Sequence, residues 1–162
     1  MPHSTEKIQD QPKKIRLVKD ELKASKSHSI DPAEEKIKGL FNLYSLKKYE
    51  DLLHESKLLV DVFPDSLIIR NLIAGAYAGL KIFDQAILQF EKIIEINPLD
   101  ARAHFNIGNI QKELKEYENE IKSYQNAISL NPNFAEAHNN LGNALKSRGD
   151  LDGAVLEFKK SL

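Results

Sequence analysis

The sequence contains no cysteine among its 162 residues. A disulfide framework, a thiolate nucleophile and a cysteine-ligated zinc site are therefore excluded. The absence is compatible with a reducing compartment.

An excess of charge of one sign is also absent, since 23 basic residues face 24 acidic ones. This balance argues against the basic surface of a nucleic-acid-binding protein. The opening stretch MPHSTEKIQDQPKK lacks the apolar core of a signal peptide. No apolar run approaches the length that spans a bilayer. We therefore expect a soluble cytoplasmic protein without a membrane or nucleic-acid partner.

A fixed interval of 34 residues organises most of the chain. Closing prolines recur at Pro64, Pro98 and Pro132. A second series, mostly aromatic, is Tyr49, Phe83, Tyr117 and Leu151, and a third, small in its last three members, is Leu40, Ala74, Gly108 and Gly142. Chance matches do not hold one interval over several series, so the chain contains an internal repeat.

Each repeat has the pattern of two helices. The second helix carries apolar residues three and four apart. In the second and third repeats it ends at an Asn-Pro pair, where proline cannot continue the helix. The small residues mark the point where the partner helix must approach closely. For the first repeat we expect Asp31 as the helix cap, with Pro32 and Glu34 completing the start. The cap candidates for the later repeats are Asp65 or Ser66, Asp100 and Asn133.

This pattern resembles the tetratricopeptide repeat in its period, small mid-helix residue, aromatic start of the second helix and closing proline. The resemblance covers residues 33–162 and implies an all-α, right-handed α-solenoid whose first helices line a concave groove. We expect a domain over 31–162, with repeats at about 33–66, 67–100, 101–134 and an incomplete 135–162. Ser56 and Glu120 depart from the pattern.

A second resemblance covers only LFNLYSLKKYE, residues 40–50. It is similar to bacterial proteins whose repeats precede a sulfotransferase or glycosyltransferase domain. No catalytic or phosphate-binding motif appears in the chain itself. Two hypotheses therefore stand: a non-enzymatic scaffold that binds a protein, or the substrate-recruiting arm of a transferase encoded beyond residue 162.

Asparagines lie at matched positions in the helices of two repeats: Asn106, Asn109, Asn140 and Asn143. Asparagine is a weak helix former, so its repetition needs a reason. A carboxamide can donate to and accept from the backbone of an extended peptide. The alternative is that these side chains bond only to neighbouring helices. The further groove candidates are Asn71, Arg102, Phe105, Lys112 and Lys146, and Phe105 could equally belong to the core.

Two narrower hypotheses are disfavoured. A clamp for a chaperone tail needs a cation where Phe105 stands, and without it a carboxylate is poorly compensated. His104 and His138 lie one repeat apart, but two imidazoles without a third ligand make a poor metal site. We therefore expect packed histidines, and no metal or other cofactor.

The two ends of the sequence differ from the middle. Residues 1–30 carry seven basic and four acidic residues, and we expect a flexible tail there, with a weak helical pattern in Ile15, Val18 and Leu22. The last helix, from Leu151 to Leu162, has apolar residues left over for a second face. The chain is therefore expected to form a weak homodimer through that helix or to be a fragment of a longer array.

Overall fold

A computed structural model describes residues 30–162, and in that range the chain forms eight α-helices and no strand. The predicted tail therefore lies outside the described residues except for Ile30. The helices are α1 (Glu34–Ser45), α2 (Tyr49–Val62), α3 (Leu67–Gly79), α4 (Phe83–Ile96), α5 (Ala101–Leu114), α6 (Tyr117–Leu130), α7 (Ala135–Ser147) and α8 (Leu151–Lys160).

The described residues divide into two compact units, one ending at Leu72 and the other running from Ile73 to Leu162. In the first unit α1 packs on α2, and Leu40, Leu52 and Leu59 are buried. In the second unit each helix from α4 to α8 packs against the next one along the chain. A cluster of α6, α7 and α8 residues, including Ile121, Tyr124 and Leu141, forms a core there.

The second helix of every pair begins at the residue of the aromatic series, as the sequence predicts. At the Asn-Pro pairs, α4 ends before Asn97 and α6 before Asn131, where φ is −131° and −136°. The N–H of each asparagine closes the helix on the carbonyl four residues earlier, at 2.8 and 2.9 Å. The Asn-Pro prediction is therefore confirmed.

The turn inside each helix pair repeats a left-handed backbone position. The residues are Lys47, Lys81, Lys115 and Gly149, with φ of 56°, 60°, 61° and 90°. They are 34 residues apart, so the interval of the sequence is also an interval of backbone conformation. Glycine adopts this conformation without the steric cost that a lysine bears.

Two predicted caps are confirmed. The Asp100 carboxylate accepts from the Ala103 N–H at 3.0 Å, and the Ser66 hydroxyl oxygen accepts from the Ile69 N–H at 3.3 Å. Asp150 caps α8 in the same way through Gly153, which the sequence analysis missed.

Two other predicted caps are wrong. The N-cap of α1 is Ala33, two residues after Asp31, and it has no side-chain cap hydrogen bond. The Asp31 carboxylate instead accepts from the Ser66 hydroxyl at 2.5 Å. The N-cap of α7 is Phe134, which makes no side-chain cap hydrogen bond, and Asn133 is not the cap residue.

The predicted close approach at the small residues is confirmed in the second unit. A Cβ atom built on Gly108 would lie 2.6 Å from the Tyr124 ring, and one on Gly142 would lie 2.6 Å from the Phe158 ring. Each glycine therefore lets an aromatic ring of the next helix lie directly on its backbone.

Candidate functional site

Most of the predicted site residues lie on α5 and α7, both in the second unit. Arg102, Phe105, Asn109 and Lys112 recur at spacings of three and four along α5, so they share one side of that helix. Asn140, Asn143 and Lys146 do the same on α7. We call the surface formed by Asn106, Asn109, Asn140 and Asn143 the asparagine face.

Asn71 is the exception. It lies on α3 in the first unit, where it is exposed and its side-chain amide donates to the Leu67 carbonyl at 2.9 Å. Its hydrogen bond is therefore local to its own helix.

Two asparagines of the asparagine face bond to each other across the helices. The Nδ2 of Asn140 donates to the Oδ1 of Asn109 at 2.9 Å. The hydroxyl of Tyr124 on α6 donates to the same oxygen at 2.8 Å. The Asn109 carbonyl oxygen thus has a donor on each of two neighbouring helices. Sequence analysis identified the asparagine pair but not the tyrosine that supports it.

Tyr124 is fully buried, with 0% of its surface exposed. Burial raises the pKa of its hydroxyl, the charge of Glu120 raises it further, and a hydrogen bond from Asn140 opposes the rise. The hydroxyl therefore keeps its proton at neutral pH and acts as a donor to Asn109. A buried hydroxyl without such a partner would be costly.

Glu120, one of the departures from the repeat pattern, is buried as well. Its burial raises the pKa of the carboxyl group, and the charge of Lys112 opposes the rise. The charge of Lys112, a residue of the candidate site, thus acts on the buried carboxyl group of Glu120.

The opposite ends of the two asparagine amides point away from this network. The Nδ2 of Asn109 and the Oδ1 of Asn140 bond to none of the described residues. Both residues are only half-buried, and no buried side-chain nitrogen or oxygen in the described range lacks a partner. Both atoms are therefore accessible, one as a donor and the other as an acceptor.

The two remaining asparagines have more freedom. Asn106 is half-buried and Asn143 is exposed, and neither side chain bonds to a described residue. The backbone carbonyl of Asn143 accepts from the Ser147 hydroxyl at 3.0 Å.

Phe105 combines the two roles left open by its sequence position. It is half-buried, and its ring centroid lies 4.8 Å from that of Phe134 and 5.8 Å from that of Tyr124. Such tilted ring pairs stabilise packing. Phe105 therefore packs against the core cluster of the second unit at the edge of the candidate site.

Arg102, Lys112 and Lys146 are exposed, and in the described range none of them is within salt-bridge distance of a carboxylate. Exposed Glu113 and Glu136 share the same helices. The asparagine face is therefore flanked by available charges of both signs.

The two histidines have different surroundings. His138 is buried, with Nδ1 2.5 Å from a Glu157 carboxylate oxygen and Nε2 2.8 Å from the Pro132 carbonyl. His104 is half-buried; burial lowers its pKa and the charge of Asp100 opposes the shift. Among the described residues no group of three or more His, Cys, Asp or Glu side chains could hold a metal ion.

Glu157, on α8, is the carboxylate partner of His138. Burial by itself raises its pKa, but hydrogen bonds and charges from Lys160 and His138 outweigh that effect. The pKa of Glu157 therefore lies below its ordinary value of 4.5.

Two protein-family models match the chain. One, described as "Tetratricopeptide repeat", covers residues 76–128, and the other, "TPR repeat", covers residues 108–149. Residues 76–149 therefore match tetratricopeptide repeats. The matched stretches include α5, α6 and α7, which carry the asparagine pair and Tyr124.

Solved structures of proteins named MamA have the same fold. One is 23% identical with a TM-score of 0.73, covering 99% of this chain and 94% of its own. A second is 26% identical with a TM-score of 0.72, covering 91% and 79%. A third, "MamA 41-end from Desulfovibrio magneticus RS-1", is 20% identical with a TM-score of 0.71, covering 94% and 93%. The predicted class, an all-α solenoid of tetratricopeptide helix pairs, is confirmed.

No curated protein sequence matches the chain. Neither family model is of a transferase, so the sulfotransferase and glycosyltransferase linkage has no support from these matches. Within residues 30–162, none of the helices combines the length and the apolar character needed to cross a membrane.

Proposed function

We propose that this protein is a non-enzymatic interaction scaffold, and that its asparagine face binds an extended segment of a partner protein. The observation that carries the proposal is the bonded pair Asn109 and Asn140. Their accessible atoms, an amide donor and a carbonyl acceptor, are the groups that a peptide backbone complements.

Backbone recognition explains why carboxamides are used instead of charged or apolar side chains. A peptide backbone offers alternating N–H and C=O groups whatever its side chains are, so a row of carboxamides binds an extended chain in many sequence contexts. Each neutral hydrogen bond contributes only about 0.5–1.5 kcal/mol net. Several contacts must therefore act together, and the flanking cations Arg102, Lys112 and Lys146 add preference among partner sequences.

Random dodecapeptides displayed on phage are selected for binding to the full chain. The affinity of each selected peptide is then measured by isothermal titration calorimetry. The Asn109→Ala/Asn140→Ala variant should bind the selected peptides roughly 10- to 30-fold more weakly, since two hydrogen bonds of about 1 kcal/mol each are lost. Its helicity by circular dichroism should be retained or slightly higher, because alanine is the better helix former.

The matched control is Asn119→Ala. Asn119 is exposed on α6 and bonds only to Glu116 at 3.1 Å, away from the asparagine face. This variant should bind the peptides like the wild type. Equal binding by the wild type and the double variant, together with a lower melting temperature of the double variant, would refute the proposal and leave the asparagines a structural role.

A further inference from the structure

In two consecutive repeats an aromatic ring packs on the backbone of a glycine. The two rings differ only in the hydroxyl oxygen of Tyr124, which Phe158 lacks. The Tyr124 ring would meet a Cβ on Gly108 at 2.6, 2.8 and 3.2 Å. The Phe158 ring would meet one on Gly142 at 2.6, 2.8 and 3.1 Å. Since the ring positions agree, the hydroxyl of Tyr124 is not needed for this contact. Phenylalanine serves equally well in the later repeat.

The repeat that has the Tyr124 hydroxyl also differs from the next repeat at the asparagine face. Asn109, whose Oδ1 accepts from Tyr124, is half-buried and held from two sides. Asn143 stands 34 residues later, in the same repeat as Phe158, and its exposed side chain bonds to no described residue. At equivalent positions of the two repeats, one asparagine side chain is fixed by hydrogen bonds and the other bonds to no described residue.

We infer that Tyr124 is a positioning residue that fixes the Asn109 carboxamide with its Nδ2 outward, so that this point of the asparagine face takes a hydrogen-bond acceptor, a backbone carbonyl of the bound segment. The inference rests on the proposed peptide-binding function. With its Oδ1 occupied by two donors, Asn109 cannot offer an acceptor to the partner without losing both bonds.

The positioning has a thermodynamic consequence. A side chain that is ordered before binding does not lose its rotamer freedom on binding. From the usual cost of immobilising one side chain, the gain in affinity is about two- to tenfold. A donor placed opposite Asn109 would face another donor, which disfavours a shifted register of the bound backbone. Asn143 can rotate to suit either group and exerts no such selection.

The first test needs no ligand. In asparagine-labelled protein, ¹⁵N relaxation should show a rigid side-chain amide for Asn109 and a mobile one for Asn143. Tyr124→Phe should make the Asn109 amide as mobile as that of Asn143. Tyr117→Phe is the matched control, because Tyr117 lies on the same helix with 51% of its surface exposed. Equal mobility of Asn109 and Asn143 in the wild type would overturn the inference even if the Tyr124 variant failed to fold.

The second test uses the selected dodecapeptides, with each backbone amide replaced in turn by an ester, which weakens the carbonyl as an acceptor and removes the N–H. One replacement should weaken binding to the wild type but not to Asn109→Ala. Compared with the wild type, Tyr124→Phe should bind the parent peptide about two- to tenfold more weakly. The ester at the Asn109-dependent position should also weaken its binding less. Peptides that depend on Asn109 but bind Tyr124→Phe with unchanged affinity and ester sensitivity would overturn the inference while leaving the proposed function standing. Peptides indifferent to Asn109 would refute the proposed function itself.

Discussion

Alanine substitutions at three helical glycines should differ in sign and size. Gly39 in α1 has no atom within 4 Å of a built Cβ, whereas Gly108 and Gly142 have an aromatic ring at 2.6 Å. In an open helical position, alanine is favoured over glycine by about 0.8–1.0 kcal/mol. Gly39→Ala should therefore stabilise the protein by about that amount.

Gly108→Ala adds the same helix propensity but creates a severe contact. Moving a packed ring typically costs about 1–3 kcal/mol. The Tyr124 ring cannot move without straining its hydroxyl bond to Asn109, which is worth about 1 kcal/mol. After subtracting the propensity gain, the net destabilisation is about 1–3 kcal/mol.

Gly142→Ala should lie between these two. The Phe158 ring is only half-buried and has no hydroxyl to hold it, so it can shift at lower cost. We expect a destabilisation of about 0–2 kcal/mol, toward the lower end.

Urea unfolding followed by circular dichroism, with hydrogen exchange to assign the effect to helices, measures all three variants. A Gly108→Ala protein as stable as Gly39→Ala would refute the reasoning. A larger loss at Gly142 than at Gly108 would show that the tyrosine hydroxyl does not restrain its ring.

Four further predictions concern separate features. Lys115→Gly should stabilise the protein by up to about 1 kcal/mol in urea unfolding, because glycine tolerates the left-handed backbone of that turn. Asp100→Ala should cost about 1 kcal/mol through loss of a cap, whereas Asn133→Ala, which removes no cap, should change the urea midpoint little. Because the folded pKa of Glu157 lies below that of the unfolded chain, its stabilisation is present above about pH 4.5 and lost as pH falls through the folded pKa. Glu157→Gln should therefore lower the free energy of unfolding at neutral pH but have little effect in strong acid. Leu156, with 54% of its surface exposed on α8, should mediate weak self-association. Sedimentation velocity should detect the association in the wild type but not in Leu156→Glu. A wild type that stays monomeric at high micromolar concentration would contradict this.

The helix pairs could be predicted because their determinants are local and repeated. An aromatic residue at the start of a second helix and an Asn-Pro pair at its end act within a few residues of the chain. The bounds of α4 and α6 accordingly begin and end where the sequence indicates. The small residues could be interpreted for a similar reason, since each lies at a fixed distance from the ring that covers it.

The caps were less predictable because several polar residues compete within one turn. Asp31 has the right chemistry for a cap, but it accepts from Ser66, 35 residues away in sequence. Asn133 has suitable chemistry too, yet α7 begins one residue later than that choice requires. Helix propensity does not decide among such neighbours, whereas tertiary contacts do.

The candidate site could be predicted only in part. Matched spacing indicated that asparagines of two repeats lie on neighbouring helices, and Asn109 and Asn140 do bond to each other. The contribution of Tyr124 depends on a contact 15 residues away. Its signal in the sequence was small: a tyrosine stands where the neighbouring repeats have Phe90 and Phe158.

The same reasoning applies to the position six residues after two of the closing prolines, Pro64 and Pro132. In the first unit Arg70 donates through Nε to the Pro64 carbonyl at 2.7 Å, and in the second unit His138 places Nε2 2.8 Å from the Pro132 carbonyl. In both repeats a side-chain nitrogen contacts the carbonyl of the preceding proline, but the side chain changes from arginine to histidine. At His138 the other ring nitrogen faces Glu157. Features that recur at the 34-residue interval therefore account for the fold, and positions where a series changes chemistry, such as Tyr124, are where individual properties of this protein should be sought.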